Sequence, residues 1–198
     1  MKTKLILWLV ATMLRWTLPT PQHEAAAARY EEIAKDAVEV AFDPAEKPLF
    51  GNSIGRTQSV IVMLAIASYE SGFRKDVEEG RARGDHGRSW CLMQINLGTS
   101  RVRLDGDGWA WAKEGEPGAW SGEDLAADRQ KCFRMALHFA RVSYRACGDL
   151  SLYTSGACSS TEKSAQFRAL RAKDALRRNP IDWLDADVLS VRSLASSL

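Results

Sequence analysis

The chain has 198 residues, 45% of them hydrophobic, and 27 basic against 25 acidic residues leave a formal net charge of only +2. That length supports one domain with its own core. The balanced charge excludes the broad basic field that nucleic-acid binding draws on, and the chain shows no internal repeat or low-complexity tract.

The first thirty residues, "MKTKLILWLVATMLRWTLPTPQHEAAAARY", carry two lysines, an apolar run from Leu5 to Leu14, a proline-containing stretch and the small run Ala25 to Ala28. This is the order of a secretory signal peptide, and the run is too short for a comfortable transmembrane helix. Residues 1–26 are therefore expected to be a signal peptide. The mature protein, starting near residue 27, would be periplasmic or extracellular, with no membrane span once the signal is removed. Arg15 and Trp16 interrupt the usual pattern, so an uncleaved anchor or an ordinary buried helix stays open.

From about His23 to Phe42, alanines, i,i+4 charge pairs and apolar spacing predict a helix ended by Asp43-Pro44. With the Pro/Gly loop that follows, it makes an N-terminal unit over 27–54. Thr57 is the expected N-cap of the next segment, "QSVIVMLAIASYE", which is apolar on almost every face and so predicts a buried central helix ending at Glu70. "EEGRARGDHGRSW" reads as a loop or small hairpin, "CLMQIN" returns to apolar character, and Leu104 to Trp120 reads as another long loop. Ser121 to Asp124 forms a capping box opening one long amphipathic helix that Gly148 stops. Ser159 to Glu162 repeats the box for a last helix ending at Asn179-Pro180. The sum is a mainly α, single helical domain with long loops.

The four cysteines, Cys91, Cys132, Cys147 and Cys158, favour disulfides in an exported chain but allow three connectivities. The short Gly-bounded loop "CGDLSLYTSGAC" favours Cys147 with Cys158, which leaves Cys91 with Cys132. No C-x-x-C pair exists and His23, His86 and His138 are scattered, so no zinc site is expected. Asp105, Asp107 and Glu116 fall at positions 1, 3 and 12 of a calcium loop, but Trp109 and Ala110 stand where an oxygen ligand and the turn glycine belong. No metal or cofactor is expected.

Three stretches, "YESGF" at 69–73, "CLMQIN" at 91–96 and "LSLYTSG" at 150–156, resemble in order the Glu-Ser, Gly-Leu-Met-Gln-Ile and Tyr-Asn motifs of the soluble lytic transglycosylase (SLT) domain. That family belongs to the lysozyme-like superfamily and is related to goose-type lysozyme. The resemblance spans roughly residues 55–180 and leaves 181–198 as a C-terminal extension. Cys91 replaces the first glycine of the second motif, and Thr154 the asparagine after the motif tyrosine.

The resemblance implies a lysozyme-like fold with long loops around a saccharide cleft, in a monomer acting on peptidoglycan glycan strands. Glu70 would protonate the oxygen between N-acetylmuramic acid and N-acetylglucosamine. The substrate's acetamido group would stabilise the cationic centre, and Glu70 would then take the 6-hydroxyl proton as the 1,6-anhydro ring closes. Tyr153 would hydrogen-bond or orient Glu70, Gln94 would lie near the saccharide floor with Met93 and Ile95 packing, and Ser71 would support Glu70 or cap the backbone. Such a donor needs a raised pKa, and the end of an apolar helix supplies it through desolvation and the negative pole of the helix dipole.

Several alternatives remain open at this point. Asp85, fifteen positions after Glu70 in a glycine-rich loop, is an exposed carboxylate or a second acid that holds water for goose-type hydrolysis. The fold can also serve a non-catalytic peptidoglycan-binding protein, or a factor opening the wall for a secretion or conjugation machine. Trp109, Trp111 and Trp120 can stack on sugar rings or pin a loop to the core.

Overall fold

The computed structural model describes residues 2–19, 22–159 and 163–178. Helix α1 (Lys2–Thr17) buries Leu5, Leu9, Met13 and Leu14, and packs on α2 (His23–Ala41), where the Thr17 and Tyr30 hydroxyls meet at 2.9 Å. In the full chain, then, the apolar N-terminal run lies on the core. No described helix is long and apolar enough to cross a membrane.

Helix α3 (Gly55–Glu70) is the centre of the molecule, buried from Thr57 to Ser68. Its start differs from the sequence expectation. Ile54 holds the cap position, Thr57 is already inside the helix, and the Asn52 side chain accepts from the Ile54 amide at 3.1 Å. The reason is a close crossing: a Cβ on Gly55 would lie 1.9 Å from the Phe50 carbonyl oxygen, so glycine lets the helix begin against that loop. After Glu70 come the short helical turns α4 (Lys75–Glu78) and α5 (Gly84–Gly87), then two small antiparallel pairs. Strand β1 (Ser89–Trp90) pairs with β2 (Ile95–Asn96), and β3 (Arg101–Asp105) with β4 (Gly108–Ala112).

The expected loop from Leu104 to Trp120 is thus a hairpin for the first half of its length. Gly106, at φ 54°, makes a two-residue turn between Asp105 and Gly108, while Val102, Trp109 and Trp111 supply strand formers. Asp107 pairs with Lys47 at 2.7 Å and Arg103 pairs with Asp105 and Glu116, so all three carboxylates of the calcium-like spacing have cationic partners.

The Ser121 capping box forms as expected, but opens only α6 (Gly122–Ala127). Asp128 leaves helical geometry and caps a new helix, α7 (Arg129–Cys147), by accepting from the Lys131 amide at 3.1 Å. A short polar side chain that competes for backbone amides breaks the single helix the pattern predicts. Gly148, left-handed at φ 77°, ends α7, and α8 (Ser151–Ser155) and α9 (Lys163–Arg178) follow. The second capping box beyond Ser159, the stop at Asn179-Pro180 and the extension 181–198 lie outside the described residues. The architecture is mainly helical, with α2, α3 and α7 packed into one core.

Both disulfides join the favoured pairs, Cys91 with Cys132 and Cys147 with Cys158. The first ties the segment between β1 and β2 to α7, and the second closes the loop that carries α8.

A buried charge cluster fastens the 43–50 loop to α7. Glu46, 4% exposed, meets Arg134 at 2.8 Å, His138 at 3.0 Å and Arg141, while His138 also contacts the Gly108 carbonyl at 2.6 Å. Burial pushes Glu46 upward, and His138, Arg134 and Arg141 overrule it and bring it down to about 2. A depressed folded pKa gives stability that is present above the unfolded value of 4.5 and is lost as pH falls through about 2. The contribution is on the order of 3 kcal/mol. Melting followed from pH 6 to pH 2.5 is expected to show this acid loss in the wild type. In Glu46→Gln, stability at pH 6 should already be lower and the slope below pH 4.5 shallower.

Candidate active site

A cavity of about 570 Å³ opens between the end of α3, the turn α5, strands β2 and β4, and helices α7 and α8. Its lining includes Glu70, Asp85, Gln94, Asn96, Trp109 and Tyr153. A larger hollow of about 760 Å³ lies between α2, α4 and the start of α7, and there Glu78 and Asp36 are already bound by Arg29 and Arg129. That network braces the chain just after Glu70, since Arg29 also donates to the Phe73 carbonyl.

Glu70 is the last residue of α3, its side chain 19% exposed. Burial raises its pKa above the ordinary carboxylate value. Arg168 opposes this by charge and hydrogen bond, Asp85 adds a further upward push, and the net direction is upward. The negative pole of α3 acts in the same sense as burial. Arg168 comes from α9 and donates to Glu70 Oε1 from Nη2 at 2.6 Å and from Nε at 3.2 Å.

Ser71 serves the backbone: its hydroxyl donates to the Ala67 carbonyl at 2.9 Å and accepts from the Phe73 amide at 3.2 Å. It therefore ends α3 and turns the chain away. Tyr153 lines the cavity with Glu70, but its hydroxyl donates to the Met93 carbonyl at 2.8 Å and not to the Glu70 carboxyl, which corrects the expected bond. Burial, then the charge of Glu70, holds Tyr153 well above the usual phenol pKa, so it stays a neutral donor. Met93 and Ile95 are buried as expected, with Ile95 also on the cavity wall.

Gln94 is locked in place, its Oε1 accepting from the Gly84 amide at 2.8 Å and its Nε2 donating to the Cys91 carbonyl at 3.0 Å. Asp85 is exposed yet faces the cavity, and its Oδ2 accepts from Ser89 Oγ at 2.6 Å and Asn96 Nδ2 at 3.1 Å. Thr154, in place of the motif asparagine, also lines the cavity and turns its hydroxyl to the Leu150 and Ser151 carbonyls.

The three tryptophans divide. Trp109 lines the cavity, stacked on Phe139 at 4.2 Å with planes 3° apart, and Trp111 stands edge-on to it at 5.1 Å, 57% exposed. Trp120 bridges to Val102 and packs against the core, which is the loop-pinning alternative.

No family model, curated protein or solved structure matches the chain.

Backbone geometry marks the same region. Among the described residues, the non-glycine positions in left-handed conformation are Phe73, Asp85, His86, Cys91 and Gln94, all between Glu70 and the end of the second motif stretch. Each such residue costs roughly 1–2 kcal/mol, and strain of this kind gathers at functional sites.

Sequence reasoning missed Arg168, Asn96 and the Trp109–Phe139 stack. For Arg168 a signal existed. Ala165, Arg168, Ala172, Ala175 and Leu176 fall on the buried stripe of α9, and an arginine in an alanine stripe requires a buried acceptor. The identity of that acceptor, 98 residues away, had no local trace.

Proposed function

We propose that the protein is an exported peptidoglycan lytic transglycosylase of lysozyme-like fold, with Glu70 acting as acid and then as base. The observation that carries this reading is convergence. Glu70 of the first motif stretch, Gln94 and Ile95 of the second, and Leu152 to Gly156 of the third all line one cavity. A carboxyl whose pKa is raised by burial can hold the proton that a glycosidic oxygen needs. The cavity offers no water-activating role to the neutral Tyr153, and internal attack by the muramyl 6-hydroxyl needs no second carboxylate. Glycan strands are the proposed partner, and the stacked Trp109–Phe139 wall supplies an apolar face of the kind sugar rings pack on. Two disulfides favour an oxidising compartment outside the cytoplasm.

Asp85 supports a second reading. It lines the cavity with Glu70 and its charge acts on that residue, so it could hold a water for hydrolysis, as in a goose-type muramidase.

Product chemistry separates the two. Mass spectrometry of the soluble fragments from intact sacculi is expected to show 1,6-anhydro ends, one water lighter than hydrolysed ones. Reducing ends would replace the transglycosylase with the muramidase, and no release at all would leave a wall-binding protein.

A further inference from the structure

The proton chemistry proposed for Glu70 needs the same carboxyl to give up a proton and then recover one, so the orientation of its two oxygens matters. Both contacts from Arg168 converge on Oε1, at 2.6 and 3.2 Å. The guanidinium approaches from α9, whereas the cavity is bounded by α3, α5, β2, β4, α7 and α8.

Arg168 is itself held tightly. It is 9% exposed, donates from Nη1 to the Ser164 carbonyl one turn earlier at 2.6 Å, and lies over the Tyr69 ring at 5.4 Å. One turn further on, Arg171 donates to Ser68 Oγ at 2.8 Å and stacks on Tyr69 at 4.0 Å, so α9 is clamped to the last turn of α3 at two successive arginines. A planar fork fixed at both ends, on a helix, positions a carboxyl more firmly than a lysine on a flexible stem.

We propose that Arg168 is the positioning residue of Glu70: it anchors the carboxyl through Oε1 and makes Oε2 the one oxygen that carries the transferable proton. A guanidinium bound to Oε1 draws negative charge to that atom, which makes a proton there unfavourable. This rests on the transglycosylase reading for its chemistry, and the steps balance through a single atom. The proton leaves Oε2 for the glycosidic oxygen as the C1–O bond breaks, its electron pair going to the departing 4-hydroxyl. When the muramyl O6 bonds to C1, the O6 proton returns to Oε2. Glu70 ends as it began, and Arg168 never exchanges a proton. Between the two steps Arg168 faces an ionised carboxylate, the form its charge favours, which counters the burial that would make this intermediate costly.

The test is a titration of the Glu70 carboxyl carbon by NMR in the full chain, comparing the wild type with Arg168→Met and Arg168→Lys. Without the cation, Glu70 should lose its proton at higher pH in Arg168→Met. Arg168→Lys, which keeps the charge, should stay closer to the wild type. On sacculi, Arg168→Met should lower kcat by about tenfold to a hundredfold and move the alkaline limb of the pH profile upward. A merely structural arginine would lower activity without moving either titration. Coincident Glu70 titrations in the wild type and Arg168→Met would overturn the proposal, as would a rise in kcat, which would make Arg168 an inhibitor of the site. A moved titration in a protein that releases nothing from sacculi would uphold the anchoring of Glu70 while sinking the transglycosylase reading, so the two failures remain distinct.

Discussion

Glu70→Gln is expected to release no anhydro-muropeptides from sacculi while the protein stays folded and still binds glycan. The loss should be at least 10²- to 10⁴-fold, the span ascribed to a positioned general acid or base. The side-chain amide keeps the shape of the carboxyl, and its oxygen can still accept from Arg168, which now reaches Glu70 Oε1 at 2.6 Å. What it lacks is a proton to transfer. The wild-type pH profile should carry the same information. Burial raises the Glu70 pKa, the proposed mechanism needs the protonated form as its acid, and so kcat/KM should fall as pH rises through that raised value. The stability sign follows from the same shift. A carboxyl whose folded pKa is raised contributes stability below its unfolded pKa and loses it as pH rises through the folded one. Glu70→Gln removes that alkaline loss, so its melting temperature at pH 8 should match or exceed the wild type's. A variant that retains turnover would move the acid elsewhere in the cavity, with Asp85 the first carboxylate to replace.

Much of the frame can be read in the chain because it rests on local chemistry. An unbroken apolar run makes α3 a central helix and delivers Glu70 to its end. Ser121 and Asp124 cap each other across three residues, and Gly148 supplies the left-handed stop of α7. The hairpin of β3 and β4 carries a local signal too, the Gly106-Asp107 turn between strand-forming residues, which the surrounding glycines and tryptophans disguise as a loop. The break at Asp128 turns on whether one side chain bonds backward into a helix or forward to cap a new one, a choice that packing makes. Tyr153 shows where motif reading stops. Its place on the cavity wall follows from the third stretch, but the acceptor of its hydroxyl is a main-chain carbonyl 60 residues earlier, at Met93. Arg168 lies further still from any local cue, because the acceptor its position demands is supplied by another helix.

Cys91 joins two effects of opposite sign, and separating them gives the second large prediction. Its backbone is left-handed, at φ 58°, the conformation that glycine adopts freely and other residues enter at a cost of roughly 1–2 kcal/mol. The resembling motif has glycine at this position, and here the side chain instead bonds to Cys132 across a separation of 41 residues. Restricting the unfolded chain by a loop of that length is worth about 4 kcal/mol in the chain-entropy treatment, more than the backbone strain, so the crosslinked protein gains on balance. Cys91→Ala with Cys132→Ala should lose the crosslink and keep the strain, lowering the melting temperature by about 10 °C at this chain length. Cys91→Gly with Cys132→Ala should lose the crosslink but relax the backbone, and recover about 1 kcal/mol after allowing for the greater freedom of glycine in the unfolded chain. The melting order expected is therefore wild type, then the glycine pair, then the alanine pair. Activity should follow a related logic. The segment under tension runs from Cys91 to Gln94, whose side chain is fixed by the Cys91 carbonyl and whose neighbour Met93 receives Tyr153. If the alanine and glycine pairs melt together, the left-handed backbone is a consequence of the crosslink and not a strain the crosslink overcomes. If they separate as expected, Cys91 has exchanged conformational ease for a covalent hold on the cavity floor.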